Sequence, residues 1–280
     1  MFLSRPARIA LKIFTWLAFA VLYIPLLVVL ASSFNDSNSF TWPPKVWSLQ
    51  WWRRVMRWPG FTVKIWNAIK IDALRESLFT SLKVALFATL VALLLGSLAA
   101  FAVHRFAFFG RSTLSLLVVL PIALPGIVTG LALNQAFRRI GLDFGVTTIV
   151  VAHATFCIVI VYNNLTARLK RMQPSLEEAS SDLGASGVQT FRYVTFPLIR
   201  SALLAGGLLS FALSFDEIVV TTFTSGAGTR TLPQWILDNL SRPKQAPVVN
   251  VVAVMVIVLS IIPVYFAQRL TDQDPGAAGR

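Results

Sequence analysis

About six stretches of the chain run for some twenty residues almost without an ionisable side chain, near 9–33, 78–103, 113–137, 144–167, 198–223 and 248–266. A helix needs about 20 such residues to cross the hydrocarbon core of a bilayer. No water is available there, so every backbone N–H and C=O must be bonded within the segment or inside the protein. The runs therefore predict an all-α polytopic membrane protein with about six transmembrane helices, forming a single transmembrane domain over residues 1–280. Composition agrees: 13% of residues are charged and mean hydropathy is +0.70, whereas a soluble domain carries about 25% charged residues.

A net charge of +13 first suggests nucleic acid, which this hydropathy argues against. Lys and Arg at span ends face lipid headgroups and bias orientation; a docking surface for an acidic partner is the other reading. Arg5, Arg8 and Lys12 precede the first apolar run, and Ala31-Ser32-Ser33 leads into Phe34-Asn35 with no cleavage pattern, so the first span is expected to be retained. An even number of spans puts both termini on one side. The short loops place them inside by a small margin of positive charge. Cys157 is the one cysteine, which excludes an internal disulfide.

The loop over 34–77 mixes Trp42, Trp47, Trp51, Trp52, Trp58 and Trp66 with Arg53, Arg54, Arg57 and Lys64. Indole rings beside guanidinium groups suit a segment lying at the membrane surface, or a contact surface for a partner protein. Within the spans, Gly126-x-x-x-Gly130 follows Pro121 and Pro125, a small-residue pair beside two helix breakers. Gly206-Gly207 offers a second place for close helix approach.

The segment 168–197, between the fourth and fifth runs, is polar and punctuated. Ser175 with Glu178 three positions on reads as a capping box, and Gly184 is placed to end that helix in a left-handed conformation. Ser186 with Gln189 offers a second capping box, for a short helix toward Tyr193. Two short helices joined at a glycine make a bent element outside the bilayer, tied at both ends to spans.

Glu178-Ala179-Ser180, Gly184 and Val194-Thr195-Phe196-Pro197 resemble, at matching spacing, the Glu-Ala-Ala coupling signature of type I ATP-binding-cassette importer permeases. The family pattern is Glu-Ala-Ala, then Gly, then Ile-x-Leu-Pro. Glu178, Ala179, Gly184 and Pro197 match it, while Ser180, Val194 and Phe196 are conservative departures. Residues 100–111, Leu120 to Gly130, His153 to Cys157 and Phe211 to Thr222 are similar to the spermidine/putrescine branch, whose members import polyamines and whose relatives import other small amino compounds. The resemblance implies the type I permease fold and a multi-pass protein of the bacterial inner membrane. It also implies a cytoplasmic coupling loop at 168–197, and hence cytoplasmic termini. Implied partners are two ATPase subunits, a second permease chain that is a paralogue, and an external solute-binding protein, besides the bilayer itself. No Gly-x-x-x-x-Gly-Lys phosphate loop occurs, because no lysine follows a glycine. This chain is thus expected to bind no cofactor, with ATP and magnesium on the partner subunit.

Asp216 and Glu217 stand deep in the fifth run, where ionisable groups are costly and face a cavity or a partner. They either neutralise an ammonium group in a substrate pathway or form a structural ion pair, with Lys83 or Arg138 as possible cations. Consecutive helical positions point about 100° apart, so one of the two is expected to face the pathway, and Asp216 is the choice. His153 is either a pathway residue or an interhelical hydrogen-bonding group. Thr222 offers a hydroxyl to the pathway, or bonds its own backbone. Trp235 and Asp238 are candidates for an external gate or a receptor contact. Two histidines and one cysteine form no metal cluster or nucleophile–base set, so neither catalytic nor metal-ligating residues are assigned. A secondary transporter would call for paired inverted halves, which are not evident, and an assembly protein would leave Asp216 and Glu217 without a task.

Overall fold

The computed structural model describes residues 4–37, 42–56, 71–240, 242 and 245–272. Trp58, Trp66, Arg57 and Lys64 of the first loop lie outside the described residues. In order, the helices are α1 (Arg5–Ser32), α2 (Gln50–Met56), α3 (Ile71–Arg105), α4 (Arg111–Ala123), α5 (Gly126–Arg139), α6 (Val146–Leu169), α7 (Ser175–Asp182) and α8 (Gly187–Thr190). After a π-turn at Phe191–Thr195 come α9 (Phe196–Asp216), α10 (Val219–Thr224), α11 (Leu232–Leu240) and α12 (Ala246–Asp272). Four of them, α1, α3, α6 and the continuous α8–α9 helix, are long and apolar enough to cross a membrane, and the α4–α5 pair raises the number to five. At 27 residues, α12 extends about 40 Å, and its described apolar part is Ala246–Ile261. Together these agree with an all-α protein of about six spans.

Two departures from the sequence reading matter. The third run is two helices bent by 108°. Leu124 is extended at ψ 141°, as steric conflict with Pro125 demands of the residue before a proline, and the Thr129 N–H closes the next turn onto Pro125 O. The fifth run also breaks. Glu217 leaves the helix at φ −74°, ψ 120°, and α10 restarts two residues later. In addition, α3 begins seven positions before the expected span; its first turn carries Asp72, an acidic residue suited to the positive end of the helix dipole.

The described chain divides into two compact units, 1–71 with 236–261, and 72–235 with 262–280. In the first, the turn after α1 is tied by an Asn35–Trp47 bridge, by Ser48 N–H to Phe34 O, and by Trp52 Nε1–H to Ser33 Oγ at 3.2 Å. Trp52 stacks on Phe34, and Arg54 lies over the buried Trp51 ring.

In the second unit α6 is the central helix, with 56% of its most apolar window buried. Small residues of α3, among them Ala88, Ala92 and Ala100, are fully buried. On α9, Gly206 comes close to the Val161 backbone of α6; an added Cβ would sit 3.3 Å from Val161 Cα. Gly126 and Gly130 do bring two helices together. A Cβ on them would lie 3.4 Å from Val219 and 2.7 Å from Phe223 of α10. The same stripe continues to Asn134, whose Nδ2 donates to Phe223 O.

Apolar packing alone does not hold α6 in register. Thr148 Oγ1 donates to Thr224 O of α10 at 2.8 Å. Cys157 and Ser210 exchange side-chain to backbone bonds, and Arg168 Nε donates to Leu198 O at 2.7 Å. The bonded partners run in opposite sense, so α6 and α9 are antiparallel with one polar tie every few turns.

Candidate functional site

The bent element at 168–197 forms, with one change of register. Ser175 is the first helical residue rather than the cap; Pro174 occupies the cap position in helical conformation, and no side chain bonds the free N–H groups. The Glu177 and Glu178 N–H groups instead close onto Pro174 O, so the turn starts one residue early and the expected Ser175–Glu178 capping box is absent. Gly184 behaves as expected. It sits at φ +81°, its N–H bonds Ser181 O, and the Ala185 N–H bonds Ser180 O. This doubly bonded glycine stop satisfies the last carbonyls of α7. The second capping box is also present, with Ser186 N–H to Gln189 Oε1 at 2.7 Å and the Gln189 N–H returning to Ser186 Oγ. Its helix does not end at Tyr193. It passes through the π-turn into α9, giving one continuous helix over Gly187–Asp216.

Of the signature residues, Glu178, Ala179, Gly184 and Pro197 are exposed, and Ser180 bonds Thr190 Oγ1 across the bend. The same surface carries bare apolar side chains, Leu183 at 89%, Val188 at 77% and Tyr193 at 69% exposure. Glu177, which the sequence reading passed over, anchors the element. It pairs with Arg105 at the end of α3 and accepts from Thr195 Oγ1. Burial raises its carboxyl, but the bonds from Thr195 and Arg105 and the nearby positive charge outweigh that and hold it below the usual carboxylate range.

At the break in the fifth run, Glu217 and Asp216 separate. Glu217 Oε1 accepts the Val220 N–H at 2.9 Å, capping the start of α10. Asp216 is exposed, and its side chain makes no hydrogen bond or ion pair among the described residues. Neither carboxylate pairs with the two cations considered for them: Arg138 bonds Asn134 and lies over Phe144, while Lys83 is exposed. Behind the break, His153 is fully buried. Its Nδ1 lies 2.8 Å from Ser214 Oγ of α9, and its Nε2 lies 2.8 Å from Thr221 Oγ1 of α10. Thr222 is exposed, and its hydroxyl donates to Ile218 O. Trp235 is buried, at 3% exposure, whereas Asp238 is on the surface. No group of His, Cys, Asp and Glu able to hold a metal occurs among the described residues.

Residues 92–274 match the family of binding-protein-dependent transport system inner membrane components. The chain is 32% identical to the putrescine transport system permease protein PotI of Escherichia coli (strain K12), over 92% of this chain and 90% of that one. It is also 32% identical to the spermidine/putrescine transport system permease protein PotC of Haemophilus influenzae (strain ATCC 51907 / DSM 11121 / KW20 / Rd), over 93% and 96%. A bacterial ABC transporter involved in the import of the acidic polysaccharide alginate superposes with a TM-score of 0.68 at 17% identity, over 98% of this chain and 99% of that one; this likeness shows the fold. The match over residues 92–274, with relatives 32% identical over 92% and 93% of the chain, makes the chain a member of the binding-protein-dependent transport system inner membrane component family.

Proposed function

We propose that this permease passes a small cationic amino compound of the putrescine and spermidine class from an external solute-binding protein into the cytoplasm, with ATP hydrolysed on two separate subunits. The observation that carries the reading is the bent element at 168–197. Its exposed residues include the apolar Leu183, Val188 and Tyr193 and the acidic Glu178, side chains open to a partner. Its base is fixed to α3 through Arg105–Glu177 and runs without a joint into α9. A partner gripping the element therefore holds the ends of two spans. On this reading the element and both termini are cytoplasmic, and the ATPases carry the nucleotide and magnesium. A second, paralogous permease chain completes the pathway. Asp238, on the surface, belongs to the external side as a gate or receptor contact, whereas the buried Trp235 offers no face to a receptor.

For the substrate, the support is the PotI and PotC similarity together with Asp216, an exposed carboxylate that pairs with no cation among the described residues. An unpaired carboxylate in a partly dehydrated passage favours an ammonium group, because Coulomb interactions there are several-fold stronger than in water. Glu217, His153 and Thr222 shape the same stretch. The test is reconstitution of the complete assembly, with uptake of labelled putrescine, spermidine and uncharged amino compounds into vesicles. ATP-dependent uptake of the diamines, competed by each other, is the expected result. Uptake of an uncharged compound in preference to both would overturn the substrate assignment, and failure to copurify an ATPase subunit would overturn the coupling assignment.

A further inference from the structure

Breaking a helix inside a membrane exposes backbone groups that lipid cannot satisfy, so a stable break needs its own partners. The break between α9 and α10 has three. The Glu217 carboxylate takes the Val220 N–H, the Thr221 hydroxyl donates to Glu217 O at 2.8 Å, and His153 bonds both sides of the gap. One placement of the hydrogens gives every group in this network a partner. Thr221 has one hydroxyl hydrogen and gives it to Glu217 O, so toward His153 it can only accept, which places a hydrogen on Nε2. Nδ1 of that tautomer is an acceptor, and Ser214 donates to it. The run Ser214 to His153 to Thr221 to Glu217 O thus crosses from α9 to α10 with each donor matched to one acceptor.

We infer that His153 is a positioning residue for transport: its imidazole splints the two halves of the fifth span and thereby fixes the direction in which the Asp216 carboxylate points. His153 touches neither carboxylate. It is fully buried, as are Ser214 and Thr221 to within 2%, whereas Asp216, the last residue of α9, is exposed. The splint is thus hidden from any solute while the group it aims is open to one. This inference rests on Asp216 acting in the substrate pathway, and the test separates the two.

Three variants are needed: His153→Leu, His153→Gln and Asp216→Asn. The glutamine amide carries an acceptor and a donor about as far apart as the two ring nitrogens, so it can bridge the same hydroxyls, and leucine cannot. Leaving two buried hydroxyls without partners is costly, so uptake by His153→Leu should fall about tenfold, chiefly in the substrate KM, with copurified ATPase and its basal hydrolysis retained. His153→Gln should restore most of the loss. In the His153→Leu background Asp216→Asn should cost far less than it does alone, because coupled residues are not additive. Geometry is read independently of transport by the distance between spin labels at Leu209 and Thr222, both exposed; the native Cys157 is fully buried and shielded from the label. A distribution that broadens in His153→Leu and narrows in His153→Gln is expected. An unchanged distribution, a leucine variant with native KM, or a cost of Asp216→Asn that is substantial and equal in both backgrounds would each overturn the inference. Broadening without any effect of Asp216→Asn alone would instead sink the pathway reading of Asp216 and leave the splint standing.

Discussion

Asp216 and Glu217 are chemically alike and adjacent, and the chain uses them in different ways because the helix ends between them. Glu217 leaves the helical path and turns its carboxylate back onto the Val220 N–H, whereas Asp216 stays on the last turn of α9 with its charge exposed. Asp216→Asn keeps the size and most of the hydrogen bonding but removes the charge. Losing a charge-assisted bond costs about 1.5–3 kcal/mol, so uptake of a cationic substrate should drop about tenfold to a hundredfold while the thermal stability of the complex holds. Vesicle uptake measured beside a melting curve checks both halves of that statement. Glu177 gives a pH-dependent expectation. Its carboxyl is held below the ordinary value in the folded protein, so its contribution is complete above the unfolded value near 4.5 and is lost as pH falls through the folded one. Acidification below the ordinary carboxylate range should loosen α7 from α3. Hydrogen exchange at the α7 amides should show this in the native protein and lose its acid dependence in Glu177→Gln.

Among the elements, the bend at 168–197 shows how far local pattern reaches. Gly184 and the Ser186–Gln189 box were legible because every partner lies within a few residues, and the structure forms both. Gly184→Val forces a branched side chain to φ +81°, a region that such residues avoid. The protein should insert normally while ATPase copurification and uptake are lost; normal uptake at normal expression would refute the coupling role. The Ser175–Glu178 box was not legible in the same way, since Pro174 adopts helical angles and starts the turn early. Glu177 escaped notice because its ion-pair partner, Arg105, lies 72 positions away, and no local rule reaches that distance. The break after Asp216 escaped for a different reason: no proline or glycine occurs from 216 to 218, and hydropathy averages across it. The only trace was a pair of carboxylates in an apolar run, answered by a histidine more than 60 positions away. In contrast, Gly126 and Gly130 were read correctly as a close-packing stripe. Gly130→Ala would place its Cβ against the root of the Phe223 side chain, and overpacking of this kind costs about 1–3 kcal/mol. A lowered melting temperature with ATPase association intact is the expected outcome.

For the molecule as a whole, the all-α class and an approximate span number followed from hydropathy, because the bilayer imposes one length on every crossing, while the permease fold followed from the resemblance. The divisions inside spans did not: hydropathy averages over the local steric break before Pro125, and the break after Asp216 is held by tertiary hydrogen bonds. One of those undivided pieces has a mechanical consequence. The helix from Gly187 to Asp216 is 30 residues, about 45 Å of rod, and a tilt of roughly 10° about its lower end would carry its tip some 8 Å sideways. Force applied beside Val188 therefore arrives at Asp216 as a stroke comparable with the width of a neighbouring helix, and no part of the rod has to bend.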